Sequence, residues 1–288
     1  MLDNKIYTFL KLCEVMNYRA TAEEMLMTQP AVTQHIHALE DIYGEKLFIY
    51  KNKVLSKTAI CEKLEEHARS VVYNEDMFRS KLKKHIKQKI RIGATRTVGD
   101  YVIDDIVIKL LKDKRVELEI IVDNTKSLLA KLENLELDFL MIEGYFEKNK
   151  YDYQLIREEE LVGICGLEHP FASKEIPFER VLKEHILLRE CGSGTRELFE
   201  RFLHEKNYSV DSFEEKSIFN SFKLIELSVA ENQCISFVYD AITKKNPNMA
   251  KFKIRDIKIS HEFNFVFLKN TSSRQLMCEY LVDNNTLL

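Results

Sequence analysis

One segment, ATAEEMLMTQPAVTQHIHALEDIYG at residues 20–44, constrains the fold of this 288-residue chain more than any other. Thr28 is a good helix N-cap, and Pro30 falls in the first helical turn, where a missing N–H costs nothing. Gly44 suits the position that follows the last turn of a helix. These signals predict a helix over residues 29–43.

A shorter helix is predicted just upstream, at about residues 21–26, with Ala22, Met25 and Leu26 facing inward. The letters NYRA at residues 17–20 are interpreted as a turn. Two helices of this size joined by a turn of three or four residues form a helix-turn-helix unit.

The helix predicted at residues 29–43 has two faces of different chemistry. Val32, Ile36 and Leu39 recur at helical spacing and are expected to face the core. The opposite face is polar with little Lys or Glu, and its amide and hydroxyl groups match the donors and acceptors of base edges in the major groove. A solvated helix face is the alternative. The predicted DNA contacts here are Thr28, Gln29, Pro30, Thr33, Gln34 and His37.

A basic loop follows in GEKLFIYKNKVLSK, after the apolar anchors Leu47 and Phe48. This position is typical of a wing, in which Lys51 and Lys53 would contact DNA phosphates and make binding salt-dependent. A solvated lysine loop is the alternative. Residues 1–90 hold 15 Lys and Arg against 12 Asp and Glu, whereas the whole chain has a net charge of −3. A polyanion partner therefore suits the first part only.

Residues 58–88 contain no Gly or Pro and predict one long helix. Such a helix is too long for one small winged domain to cover, so dimerisation is expected. A dimer would hold two reading heads at a fixed spacing over a dyad-symmetric site on double-stranded DNA. The apolar seam for pairing consists of Leu64, Ala68, Val71, Phe78 and Leu82.

Beyond residue 89, predicted strands alternate with predicted helices, one of them over GDYVIDDIVIKLLKD. This alternation indicates an open, mostly parallel sheet with ligand sites at strand ends. Nearly 200 residues exceed one mononucleotide-binding unit, so two lobes with a cleft between them are predicted.

Two stretches stand at predicted strand-to-helix transitions, where free N–H groups and the positive end of a helix favour an anion. A carboxylate or an inorganic oxyanion is therefore the expected ligand. Simple N-capping by Thr97 and Ser193 is the alternative. The candidate ligand contacts are Thr95, Arg96, Thr97, Gly192, Ser193, Gly194, Thr195 and, as a weaker third wall, Asn220.

The pattern AA..L..SQPAVS..I..LE..LG..LF.R is matched by Ala22, Leu26, Thr28-Gln29-Pro30-Ala31-Val32-Thr33, Ile36, Leu39-Glu40, Gly44 and Leu47-Phe48. Further motifs follow in order: KIRIGATRTVGDYVI, LDFLMIEG, ELVGICGLEHPFA and HILLRECGSGTRELFE. On these motifs the chain resembles LysR-type transcriptional regulators over essentially its whole length. The resemblance implies an effector domain like two-lobed periplasmic binding proteins, and a tetramer that a small molecule shifts between DNA-bound shapes. The chain is expected to form a dimer or tetramer in the cytoplasm, and RNA polymerase is a further candidate partner.

The expected fold class is α/β overall, in three parts. A winged helix-turn-helix spans residues 1–58 and a linker helix spans 59–88. The effector-binding domain spans 89–288, with one lobe at about 89–162 and 267–288 and the other at about 163–266.

Other classes of function fit less well. GSGTR is neither a Walker motif nor G-x-G-x-x-G, and neither catalytic nor metal-ligand spacings are found, so no catalytic residue, cofactor or metal is predicted. A solute-binding transport protein would explain residues 90–288 only, and neither an export signal nor a run of about 20 apolar residues is present.

Cys191 suggests a redox-sensing regulator as a further alternative, because some relatives sense peroxide through a disulfide in this region. A buried, unperturbed thiol is the favoured interpretation. The six widely spaced cysteines are expected to be reduced, as in a cytosolic protein.

Overall fold

The computed structural model of the chain describes residues 2–51, 54–82, 87–231 and 234–281. It contains an N-terminal helical head, a long connecting helix and a C-terminal α/β region of two lobes. Lys53, a predicted phosphate contact, lies outside the described residues. Within those ranges, none of the helices has the length and apolar character needed to cross a membrane.

The head consists of three helices and a two-stranded antiparallel hairpin, which confirms the predicted wing. Its core includes Phe9, Leu12, Ile36 and Leu47, all fully buried. The elements are α1 (Asn4–Val15), α2 (Tyr18–Glu24), α3 (Gln29–Tyr43), β1 (Phe48–Lys51) and β2 (Val54–Lys57).

Helix α3 forms with the ends that its sequence predicts. The Thr28 hydroxyl accepts a hydrogen bond from the backbone N–H of Ala31 at 3.4 Å, and Pro30 occupies the first turn. Gly44 ends the helix with φ at 73°, a left-handed conformation that a glycine adopts at little cost. The three apolar residues expected to face the core are buried.

The sequence interpretation of α2 is wrong at two points. Residues 17–20 are not a turn, because the Asn17 side chain caps α2 and the helix starts directly after it. Leu26 does not face inward: it is 94% exposed with φ at 54°, and Met25 and Met27 are partly buried on either side. In the pattern AA..L..SQ the leucine stands three residues before the serine, a position that is Met25 here.

A single helix, α4 (Ala59–Leu82), follows the wing. It is shorter than the helix predicted over residues 58–88, because Gln88 already lies in a strand. Absence of Gly and Pro allows a helix to continue, but it does not prevent a strand from starting where the chain joins a sheet.

Helix α4 packs against both parts of the molecule. Leu64 and Ala68 are buried in the core of the head, so this half of the predicted pairing seam is wrong. Further along, the Tyr73 hydroxyl donates to a carboxylate oxygen of Asp138 at 3.2 Å, and Tyr73 joins the core of the C-terminal region. The exposed part of the seam is Phe78 and Leu82.

The C-terminal region alternates strands and helices as predicted. Its strands are β3 (Gln88–Thr95), β4 (Val116–Asp123), β5 (Phe139–Glu143), β6 (Tyr151–Gly166), β7 (Glu175–Ile176), β8 (His185–Arg189), β9 (Glu215–Phe219), β10 (Ile235–Tyr239), β11 (Met249–Ile254) and β12 (Ile259–Leu268). Its helices are α5 (Arg96–Tyr101), α6 (Asp104–Lys112), α7 (Thr125–Glu133), α8 (Phe178–Val181), α9 (Gly194–Glu205), α10 (Phe222–Ala230), α11 (Asp240–Thr243) and α12 (Ser273–Leu281).

The main sheet has the strand order β4-β3-β5-β12-β6-β10-β8-β9. The groups β4-β3-β5 and β10-β8-β9 are each parallel, as predicted. Antiparallel β12 and β6 join them. Strand β6 pairs with β12 in its first part and with β10 and β11 in its second, so it runs from one lobe into the other.

The helix predicted over GDYVIDDIVIKLLKD is two helices, α5 and α6. The Val98 carbonyl accepts from the N–H groups of both Val102 and Ile103 at 3.0 Å, which ends α5 and turns the chain. The domain boundaries near residues 58 and 88, and the lobe boundaries, stay predictions.

Candidate functional site

The polar face of α3 is an exposed surface beside an open concavity of about 730 Å³. Gln29, Pro30, Gln34 and His37 are exposed on it, and Thr33 is half-buried. The Thr33 hydroxyl donates to the Gln29 carbonyl at 3.1 Å, which leaves its oxygen able to accept from outside. Thr28 stands at the N-terminal end of the same helix as its cap. The predicted reading residues of α3 therefore share one accessible surface.

The basic residues of the wing differ in their surroundings. Lys51 is exposed at the end of β1. Lys57 belongs to the same loop in the sequence, but its Nζ lies 2.6 Å from the Glu65 carboxylate, which also pairs with Arg69 at 2.7 Å. Lys51 is therefore available to a phosphate, whereas Lys57 supports the start of α4.

The second candidate site lies between the lobes, where the carboxyl ends of the parallel strands meet. One stretch follows β3 and the other follows β8, and together they line one small cavity of about 20 Å³. The predicted residues that line it are Thr95, Arg96, Thr97, Gly192, Ser193 and Gly194.

The remaining two predicted residues stand beside this cavity. Thr195 is 2% exposed, and its hydroxyl is buried with no hydrogen-bond partner in the part of the chain that the structure describes. Asn220 is exposed and not part of the lining, but its backbone carbonyl accepts from Arg96 at 3.2 Å. Asn220 thus contacts the cleft through its main chain.

The alternative of simple N-capping is wrong for both hydroxyls. Helix α5 begins at Arg96, so Thr97 lies inside its first turn and is not the cap. Ser193 occupies the N-cap position of α9, but its side chain makes no capping hydrogen bond. The first N–H groups of α9 therefore remain unsatisfied by this side chain and can take a ligand.

Four charged residues of the cavity were not predicted from the sequence. Asp123, Glu143 and Arg189 are the last residues of β4, β5 and β8, and Glu190 follows directly. Their positions at carboxyl ends of parallel strands were the signal that could have revealed them.

Burial and pairing control the charges of these groups. Glu143 is 3% exposed, which raises the pKa of its carboxyl, although the Thr95 hydroxyl donates to it. Arg189 donates to Glu190 at 2.8 Å and stacks over the Phe222 ring at 4.1 Å. Burial works to raise the pKa of Glu190, but the hydrogen bonds from Arg189 hold it below its ordinary value.

Polar contacts bridge the two lobes at the rim of the cavity. Arg96 lies 3.1 Å from a Glu190 carboxylate oxygen, and the Tyr101 hydroxyl donates to Glu226 at 3.0 Å. Lys245 and Asp104 form another ion pair between the lobes. Arg96 and Glu190 also line a neighbouring open pocket of about 850 Å³, so this ion pair borders both pockets.

Cys191 and Arg196, which lie near the cavity residues in the sequence, have different surroundings from the cavity groups. Cys191 is exposed and carries no disulfide, so the expectation of a buried thiol is wrong. Arg196 is structural, because it donates to Glu200 at 2.7 Å and to the Arg189 carbonyl at 2.9 Å.

Known proteins share both parts of this architecture. Residues 83–278 match the family model described as LysR substrate binding domain, and residues 4–62 match bacterial regulatory helix-turn-helix protein, lysR family. The chain is 23% identical over 297 residues to the HTH-type transcriptional regulator CysL of Bacillus subtilis, covering 99% of this chain and 98% of that one.

Solved structures show the same fold. A full-length OxyR variant from Pseudomonas aeruginosa matches with a TM-score of 0.65 at 17% identity, covering 96% of this chain and 92% of that one. The CcmR regulatory domain of Synechocystis, in complex with 2-PG, matches with a TM-score of 0.58 at 18% identity, covering 69% of this chain and 98% of that one.

Proposed function

Because the chain belongs to the LysR family of transcriptional regulators, we propose that its cleft takes a small acid that changes how its head binds DNA. The observation that carries the proposal is the shared cavity, to which residues 95–97 contribute from one lobe and residues 192–194 from the other. A ligand there touches both lobes, so it stabilises one arrangement of the lobes over another.

The head recognises its site through the exposed face of α3. The amides of Gln29 and Gln34 suit the paired donor and acceptor of adenine, and Thr33 and His37 suit single base-edge groups. Around them, Thr28 and Pro30 lie at the sugar–phosphate backbone, and Lys51 supplies charge without sequence information. Lys53 is assigned the same role from its place in the sequence.

The ligand is small and carries an acid group, either a carboxylate or an inorganic oxyanion. The uncapped N-terminus of α9, the hydroxyls of Thr97 and Thr195, and Arg96 supply donors for it, and Thr95 lines the same cavity. The 2-PG ligand in the CcmR regulatory domain, a structure of the same fold, supports this class. Such binding requires no catalytic step, metal or cofactor.

A second copy of the chain is the partner that fits the exposed apolar side chains. Phe78 and Leu82 on α4 are 59% and 64% exposed, and Leu111 on α6 is 69% exposed. We assign these surfaces to a dimer or tetramer that places two heads on a dyad-symmetric site in the cytoplasm, within reach of RNA polymerase. Sedimentation of Phe78→Glu tests this: the variant should form smaller assemblies, and an unchanged mass would remove Phe78 from the interface.

The ligand role is tested with Thr97→Val, which removes a hydroxyl from the cavity and keeps the shape of the side chain. Thr271→Val is the matched control, because the Thr271 hydroxyl donates to the Leu268 carbonyl outside the cleft. Thr97→Val should bind DNA normally and lose the response to small acids, whereas the control keeps both. Equal ligand titrations for both variants would place the ligand elsewhere.

A further inference from the structure

Glu143 places a carboxyl group inside the cavity that the ligand is proposed to occupy. It is 3% exposed at the end of β5 and takes a hydrogen bond from the Thr95 hydroxyl. Among the described residues, none of the Lys, Arg or His nitrogens lies within 4.0 Å of its carboxylate oxygens. A buried carboxyl without an ion-pair partner is costly when it is ionised.

The cations of the cavity form their ion pairs with a different carboxylate, Glu190, although the charge of Arg189 also acts on Glu143 and lowers its pKa against the larger effect of burial. Arg189 donates two hydrogen bonds to Glu190, at 2.8 and 3.0 Å, and Arg96 approaches the same carboxylate from the other lobe. Three carboxyl groups therefore line the cavity against two guanidinium groups. These residues are Asp123, Glu143 and Glu190 against Arg96 and Arg189.

The donors for an acid group lie next to Glu143. A Cβ on Gly194 would come within 3.4 Å of the Glu143 carbonyl oxygen and 3.6 Å of its Cγ. Gly194 starts the twelve-residue helix α9, and the buried Thr195 hydroxyl beside it has no partner among the described residues. A purely anionic ligand held at α9 would thus sit within a few ångströms of another carboxyl group.

From this juxtaposition we infer that the ligand carries a protonated amino nitrogen beside its acid group, as an amino acid or a close derivative does. The acid group binds the N-terminus of α9 and the hydroxyls of Thr97 and Thr195. The protonated amino group binds the Glu143 carboxylate, which thereby gains an ion-pair partner. This inference rests on the proposed function, since it refines the ligand of the same cleft.

The alternative ligand is an acid without nitrogen that accepts a hydrogen bond from a neutral Glu143. The affinities of the two kinds of ligand change with pH in opposite directions. An amino group favours the ionised carboxylate, so binding releases the Glu143 proton to solvent and strengthens as pH rises through the raised pKa. A plain anion favours the neutral carboxyl and weakens over the same range. The other charged or titratable groups around Glu143 are Arg96, Asp123, Arg189, Glu190 and Tyr239.

Calorimetric titration of the full-length protein separates these two ligands. The probes are L-alanine, L-serine and L-aspartate, each paired with the 2-hydroxy acid of the same side chain: L-lactate, L-glycerate and L-malate. In the pair that binds, the amino acid should bind at least about tenfold more tightly, with proton release and with affinity that rises with pH.

Glu143→Gln removes the charge and keeps the shape. It should weaken the amino acid at least about tenfold and leave the hydroxy acid unchanged or tighter. Glu159→Gln is the control, because Glu159 is a buried carboxylate paired with Arg157 outside the cavity, and it should change neither affinity. Thermal melting checks that each variant is folded.

The outcomes distinguish this inference from the proposed function. Equal or tighter binding of the hydroxy acid, abolished by Thr97→Val, would overturn the amino-group inference and leave the cleft as an acid-binding site. If none of the six probes binds in a manner that depends on Thr97, both the amino-group inference and the proposed function are overturned.

Discussion

The polar face of α3, which is the proposed reading face for DNA, and the cleft between the lobes are both polar. They differ in how their polar groups are satisfied. On α3, the side chains of Gln29, Gln34 and His37 point into solvent beside an open concavity. In the cleft, Arg189 and Arg96 already pair with Glu190. The side chains on α3 can therefore contact a partner without breaking other contacts. In the cleft, a ligand has to replace ion pairs that Arg96 and Arg189 make with Glu190.

This difference assigns different roles to the two regions. A preformed surface can supply affinity and specificity at once, because little has to be rearranged on binding. A site closed by its own contacts can act as a switch, because a ligand that replaces those contacts also changes the arrangement of the lobes. Coupling of this kind typically amounts to about 1–3 kcal/mol between two sites.

The largest effect is expected in the cleft, on stability. Because burial raises the pKa of Glu143, wild-type stability should fall as pH rises from the ordinary glutamate value through the raised one. Glu143→Gln cannot ionise, so its melting temperature should exceed that of the wild type at about pH 8, with the gap closing near pH 4.5. Identical melting curves for the wild type and Glu143→Gln at all pH values would show that Glu143 ionises in the folded protein without a cost in stability.

The next largest effect is expected on the reading face. Gln34→Ala should cost about 1–3 kcal/mol of binding to duplexes that keep the contacted base pair, and little to duplexes that lack it. Fluorescence anisotropy with single-base variants of the site measures this. Gln275→Ala, an exposed glutamine on α12, is the control and should bind as the wild type does. A uniform loss on every duplex would remove base recognition from Gln34.

The turn before α3 should show a smaller effect on stability. Leu26 has φ at 54° and is 94% exposed, so its backbone has the strain of a left-handed conformation and its side chain gains little burial to offset that strain. Leu26→Asn should raise the free energy of unfolding by about 1 kcal/mol, since asparagine tolerates this conformation. Leu26→Ala is the control, because it removes the same side chain but does not tolerate the left-handed conformation as asparagine does. Equal unfolding free energies for the two variants would contradict the explanation.

The smallest effect is expected at the wing. Lys51→Ala should reduce the slope of log affinity against log salt by about one unit, equally for all duplexes, because a phosphate contact carries no sequence information. Lys223→Ala, on an exposed position of α10, should leave the slope unchanged. A sequence-dependent loss at Lys51 would instead indicate contact with bases.

Local signals in the sequence were sufficient to predict α3, the wing and the parallel strand groups. Thr28, Pro30 and Gly44 act through neighbouring backbone groups, so no distant contact is needed to place the ends of α3. The one-residue error at Leu26 arose because Met25, Leu26 and Met27 are all apolar. Only the backbone conformation of the turn decides which of them faces outward.

Features that depend on distant partners were missed. Glu143 is the last residue of the otherwise apolar strand β5, and it becomes a cavity residue only when β5 lies beside β3 and α9 comes across from the other lobe. Periodicity identified Leu64 and Ala68 as one side of a seam, but it could not say whether the head or a second copy covers them. Both cases require the packing of elements that are far apart in the sequence.

The most direct test is the affinity of the protein for a duplex that it selects from random sequence, measured with and without a cleft ligand. The account predicts a change of roughly 5- to 150-fold for the wild type, together with an altered footprint. It predicts no change for Thr97→Val. Identical affinities and footprints for the wild type with and without a ligand bound in the cleft would contradict the link between the two sites.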